Sequence, residues 1–178
     1  MQDKIFKAFL ERQYEDAMAL DRNSDLVKIA PLDGWPPQRY ALAFNCTGLI
    51  QSPSGGIVEA DHFEVGVWFP SDYLRRAEPF EVLHWFGPPH IFHPNISNKA
   101  PFICIGRLAP GTPLVDIVYQ CFEIITYNKV TMREDDALNR DACVWARANQ
   151  HRLPVDRRPL KRRVLDLAIE EAKGTEQP

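Results

Sequence analysis

Three runs of alternating apolar residues limit what this chain can fold into. The first holds Tyr40, Leu42, Phe44 and Cys46, the second Phe63, Val65, Val67 and Phe69, and the third Phe80, Val82, His84 and Phe86. Period two marks a half-buried strand. The first run is expected to extend over 39–50 with Cys46 packed against its neighbours, and Pro70 closes the second. Pro53-Ser54-Gly55-Gly56 and a polar stretch through Arg75-Arg76 connect the runs. Consecutive strands joined by turns pair antiparallel, so the chain reads as a meander and not as a parallel sheet.

Helical periods flank these runs. Over residues 3–20, Ile5, Phe6, Phe9, Leu10, Tyr14, Ala17 and Met18 form a broad apolar stripe. Residues 25–30 could be extended, and Asp33-Gly34-Trp35-Pro36-Pro37 is a turn. From Leu114, apolar residues fall at Ile117, Val118, Cys121, Phe122 and Ile125, the clearest helical stripe in the chain. A polar loop, 126–137, follows; then a helix over 138–149 with Leu138, Ala142, Trp145 and Ala146 on one face and Cys143 off that face, partly buried. A linker over 152–158 leads to a last helix opened by Pro159, with Leu160, Val164, Leu165 and Ala168 inward, Gly174 as its stop and a frayed tail over 175–178. The order is helix, strands, irregular segment, helices: an α+β fold. The organisation expected is one domain over 1–150, with 151–178 as a linker and helix packed on it.

Charge and cysteine usage exclude some functions. At 178 residues the chain suits one domain. A formal net charge of -3 argues against general nucleic-acid binding, and no run approaches the ~18 apolar residues that span a bilayer. The N-terminal residues start a helical pattern and do not look like a signal peptide. Cys46, Cys104, Cys121 and Cys143 include no Cys-x-x-Cys pair, so they read as reduced thiols in a cytoplasmic protein.

Residues 90–113 carry no period and hold prolines at 94, 101, 110 and 113. A loop of this length inside a compact domain is usually functional or disordered, and Ile91, Phe92, Ile96, Phe102 and Ile103 argue for order. Within it stands His93-Pro94-Asn95, and nine residues beyond Asn95 comes Cys104, between Ile103 and Ile105. A thiol can attack a carbonyl and hold the acyl group as a thioester, and an amide N–H can stabilise the oxyanion that follows. The plainer reading of Cys104 is a buried structural cysteine.

The His-Pro-Asn turn, the Ile-Cys-Ile triplet and the helix after a proline-containing loop resemble the active-site region of ubiquitin-conjugating enzymes. The order of elements over residues 3–150 is also that of the family. The resemblance implies a fold with an N-terminal helix, an antiparallel meander, an irregular active-site segment and C-terminal helices. It implies that Cys104 carries a ubiquitin-like protein, received from an activating enzyme, and passes it to an amine, a lysine on a target. Asn95 would be the oxyanion donor or the residue that fixes the cysteine loop, and His93 would hold the loop through backbone. Asp136, or Asp135 or Glu134 in a loop longer than usual, would orient or deprotonate the incoming lysine; otherwise it is a helix N-terminal carboxylate. Tyr127 or Asn128 would border the site. The N-terminal helix would meet the activating enzyme, its exposed face carrying Lys4, Lys7, Glu11, Arg12 and Glu15.

No cofactor or metal is implied; His90, His93 and Cys104 lack an obvious fourth zinc ligand. A papain-like hydrolase would need a histidine beyond the cysteine, and His151 lies by a linker. No glycine-rich phosphate loop is present, which argues against the chain activating its own substrate with ATP. The tryptophan usual after the family's cysteine is absent from residues 106–113, and its paired prolines are reduced to Ala77-Glu78-Pro79. These departures suggest a divergent member. Bacterial relatives of this kind occur in operons with a ubiquitin-like protein, an activating enzyme and a deconjugating metalloprotease, some of them in antiviral defence. The rival is a non-catalytic scaffold that binds a ubiquitin-like protein or activating enzyme.

Overall fold

A computed structural model describes residues 4–162. Helix α1, Lys4–Arg22, buries Phe6, Leu10, Gln13, Ala17 and Leu20. Ile5, expected inward, is 70% exposed. Gln13 is buried instead, and its Oε1 accepts the Leu114 N–H at 2.8 Å. That N–H opens helix α3, Leu114–Ile125, whose N-cap is Pro113 with no side-chain cap. Gln13 therefore satisfies one of the orphan donors that every helix start exposes.

Strands β1 (Val27–Pro31) and β2 (Arg39–Phe44) lead to a hairpin of β3 (Gly48–Gln51) and β4 (Ile57–Ala60), then to β5 (Phe63–Trp68). A one-turn helix α2 (Pro79–Val82) precedes β6 (Leu83–Gly87). The main sheet has the order β1-β2-β5-β6, all antiparallel. The β2–β5 register pairs Tyr40 with Val67, Leu42 with Val65 and Phe44 with Phe63, and all six side chains are buried. The alternation of the first two runs is thus core packing. The stripe of α3 covers the same core, with Leu114, Ile117, Val118, Cys121, Phe122 and Ile125 all buried.

Two expectations about strands change. The first run ends at Phe44, not at residue 50; Cys46 is buried in the bend that follows, and 48–51 joins a separate sheet. The third run is not one strand. The turn of helix at 79–82 shifts the phase, so Leu83 and Trp85 face the core while Phe80 and Phe86 are more than half exposed.

A second, smaller core contains Leu49, Phe92, Tyr127, Ala142 and Ala146. Its helix α4, Arg140–Ala148, starts after Asn139, whose Oδ1 accepts the Ala142 N–H at 3.1 Å. Cys143, expected partly buried, is fully buried on α4. Residues 153–162 form a strap back across the molecule. Asp156 accepts the Thr47 N–H and holds Arg158, Leu160 enters the main core, and the Arg162 N–H reaches the Asn23 carbonyl. Residues 159–162 are irregular, and the rest of the helix expected from Pro159 lies outside the described residues. Among the described residues no helix is long and apolar enough to cross a membrane.

Candidate active site

The irregular segment after β6 sits on the seam between the two cores. Ile91, Ile96, Ile103 and Ile105 enter the main core, while Phe92 turns to the second, its ring 5.7 Å from Trp145. Main-chain bonds fix this path. The Gln51 N–H reaches the His90 carbonyl and the Phe92 N–H reaches the Leu49 carbonyl, so β3 steers the chain into the His93-Pro94-Asn95 turn. Ser97 donates to the Phe102 carbonyl and Cys104 to the Asn95 carbonyl, both at 2.8–2.9 Å, with Ile96 bridged to Ile103. The segment is thus a narrow hairpin, and the hairpin places Asn95 opposite Cys104.

Cys104 is half-buried, and Cys46, Cys121 and Cys143 are buried. Burial pushes the Cys46 and Cys121 thiols up to about 12, so both remain protonated at neutral pH. Cys104 alone combines access with an irregular, hydrogen-bonded setting.

Asn95 is 9% exposed, and both ends of its side chain are engaged. Nδ2 donates to the Cys104 carbonyl at 3.4 Å, and Oδ1 accepts the Thr131 N–H at 2.9 Å. His93 is fully buried. Its Nδ1 accepts the Asn95 N–H at 3.0 Å, which puts the neutral ring's proton on Nε2. Among the described residues Nε2 makes no close hydrogen bond. Burial pushes the ring down to about 3, with a smaller opposing pull from the Ile124 carbonyl. The ring packs against Tyr127, centroids 4.3 Å apart, and the Tyr127 hydroxyl donates to the Phe92 carbonyl. A ring held neutral, with its lone pair already occupied, orients the turn and has no means of carrying a proton to or from substrate.

Glu134, Asp135 and Asp136 form a single 3-10 turn. Glu134 is paired with Arg140 and Arg147, and Asp136 with Arg133 at 3.3 Å. No hydrogen bond or ion pair joins any of the three to Cys104. They are nonetheless tethered to the turn, because the Leu138 and Asn139 N–H groups both reach the Pro94 carbonyl, at 2.9 and 3.2 Å. Asn128, named as a possible neighbour, points elsewhere, donating to Thr126 and to the Asp156 carbonyl.

Two contacts had no signal in the sequence. Thr131 holds Asn95 through backbone, which any residue type could do. Lys129 donates from Nζ to the Ile105 carbonyl at 2.7 Å, beside Gly106 at φ +93. A lysine in a polar loop is ordinary, and only the three-dimensional path brings it to the cysteine.

No family model matches the chain, and no curated protein does. Solved structures do. The chain is similar to the conjugating domain of a Toxoplasma gondii ubiquitin conjugating enzyme at 18% identity and a TM-score of 0.54, over 81% of this chain and 88% of that one. It is also similar to a candidate ubiquitin conjugating enzyme from Plasmodium yoelii, at 15% identity and a TM-score of 0.53, over 80% and 85%. The α+β architecture is therefore the ubiquitin-conjugating fold, with its N-terminal helix, antiparallel sheet and C-terminal helices.

Proposed function

We propose that the chain is a ubiquitin-conjugating-type transferase working through a thioester on Cys104. The observation that carries this reading is the pairing of the accessible cysteine with Asn95 across the hairpin. In the first step the Cys104 thiolate attacks the acyl carbonyl of a ubiquitin-like protein held as a thioester by an activating enzyme. A new C–S bond forms at Cys104, and the enzyme's thiolate leaves. In the second, a lysine amine of a target attacks the same carbonyl; the C–N bond forms, the C–S bond breaks and the Cys104 thiolate leaves. The proton lost by the amine goes to a carboxylate of the 134–136 turn. Asp136 is our assignment. Its exposed pair with Arg133 is worth only ~0–1 kcal/mol, so an incoming amine can displace it. Asp135 stands next to it with no ion-pair or hydrogen-bond partner among the described residues.

Reduced thiols suit a cytoplasmic setting. The departures at 77–79 and 106–113 suit a divergent member; a bacterial conjugation operon, of the kind that in some cases serves antiviral defence, is the setting that the family resemblance implies.

Incubating the protein with a candidate activating enzyme, ubiquitin-like protein and ATP tests the reading by intact mass and by gels with and without reductant. The expected adduct is one acyl group, removed by thiol. With Cys104→Ser the adduct becomes an oxygen ester that resists thiol, forms slowly and discharges poorly, because a serine hydroxyl is a weaker nucleophile than a thiolate and an ester is less activated than a thioester. A wild-type adduct that survives reductant and maps to a lysine would deny Cys104 the carrier role. No adduct with a verified cognate activating enzyme would favour the scaffold.

A further inference from the structure

The transfer reaction develops negative charge at Cys104 and then on the acyl oxygen bonded beside it. Asn95 offers that charge one free amide N–H and no formal charge, since the other N–H of Nδ2 lies on the Cys104 carbonyl at 3.4 Å and Oδ1 is held by Thr131. Lys129 is placed differently. One N–H of its ammonium reaches the carbonyl of Ile105, the residue after the cysteine, at 2.7 Å. An ammonium has three donors. The other two have no partner among the described residues, and no carboxylate pairs with Lys129. Its backbone is fixed as well, with the N–H on the Glu123 carbonyl at 2.9 Å. Gly106, beside it, has a φ of +93, a conformation that favours glycine.

We infer that Lys129 is a positioning residue of the transfer site: its ammonium clamps the Cys104 loop through Ile105 and supplies a fixed positive charge to the anion that forms at residue 104. The inference rests on the proposed thioester chemistry for its role in turnover, but the charge beside the thiol stands or falls on its own. Unit charges on the order of 6 Å apart, in a setting close to water, alter a rate by about threefold. Arg107 is the natural control. It lies on the same loop and is exposed, and no hydrogen bond or ion pair holds it among the described residues.

The first measurement needs no partner protein. Native protein is alkylated at Cys104 with neutral iodoacetamide and with anionic iodoacetate at one pH, and the ratio of the two rates is taken. The thiolate fraction cancels in that ratio, so it reports the local field. Lys129→Met should lower the iodoacetate-to-iodoacetamide ratio about threefold. Lys129→Arg should restore most of it, and Arg107→Met should change it by less than half as much. An unchanged ratio in Lys129→Met, no rescue by arginine, or an equal fall in Arg107→Met would each overturn the inference. The second measurement is single-turnover discharge of preformed thioester to free lysine. There, below the variant's melting temperature, Lys129→Met should slow discharge about threefold with the loaded fraction unchanged, and Lys129→Arg should restore it, because one charge interaction with a transition state is removed. Discharge at the wild-type rate would remove the role in turnover. If wild type never loads, the proposed function fails while the alkylation ratio still decides whether Lys129 charges the site.

Discussion

Asn95 holds Thr131 and Cys104 at once, and that double contact makes its removal a structural event as well as a chemical one. Asn95→Ala leaves the Thr131 N–H without its partner, a loss of ~1–3 kcal/mol. The melting temperature should fall by about 2–4 °C per kcal/mol for a chain of this size. Loading and discharge of Cys104 should decline together; lost discharge with an intact melting temperature would show instead that the amide swings free to serve the oxyanion. His93 makes a second expectation, on acidity. Its folded pKa of about 3 lies below the ordinary 6.5, so the unfolded chain binds the extra proton between those values. The stability tied to the neutral ring is complete above about pH 6.5 and is lost as pH falls toward 3. Urea midpoints between pH 7 and 4 should drop more steeply for wild type than for His93→Gln; parallel slopes would mean that other groups govern acid unfolding. Both residues, with Cys104, were legible in the sequence because they lie within one short hairpin. Thr131 and Lys129 were not. Their contacts join segments far apart in the chain, and a polar loop carries no period to announce what it touches.

The elements were legible where a period ran unbroken. Every apolar residue expected inward on α3, β2 and β5 is buried, and α3 buries Ile124 besides. Failure came where the period was interrupted. One turn of helix before β6 carried the inward face from Val82 to Leu83, and the short β3–β4 hairpin has no clean alternation, with Ile57 half-buried and Val58 exposed. Two glycines in these strands should respond differently to a methyl group. At Gly48 a Cβ would lie 2.7 Å from the buried Phe63 ring and 2.9 Å from the Ile125 carbonyl, neither free to retreat. Gly48→Ala should therefore cost ~1–3 kcal/mol as an overpacked site. At Gly66 the Cβ would meet the Phe86 ring at 2.2 Å, but that ring is 53% exposed and can turn into solvent. Gly66→Ala should cost clearly less. Urea denaturation of both variants checks the order, and equal losses would show that Phe86 is pinned to the sheet.

At the scale of the whole molecule, the two cores differ in size. The main core is built from α1, the sheet and α3, whereas the second, among the described residues, gathers fewer buried side chains, from β3, residues 92 and 127, and α4. Free energies of opening follow such differences. In hydrogen–deuterium exchange, the amides of Leu42, Val65 and Ile117 should exchange only through global unfolding. Those of Thr131, Ala142 and Ala146 should exchange measurably faster, by a local route. Equal protection in both sets would show one cooperative unit. The hairpin of Asn95 and Cys104 bridges this gradient. One bank of it is anchored in the part that yields last, and the bank formed by residues 127–139 belongs to the part that yields first. A bulky acyl group and an approaching lysine can thus be admitted by loosening one wall for a moment, while the thiol stays where the firmer wall holds it.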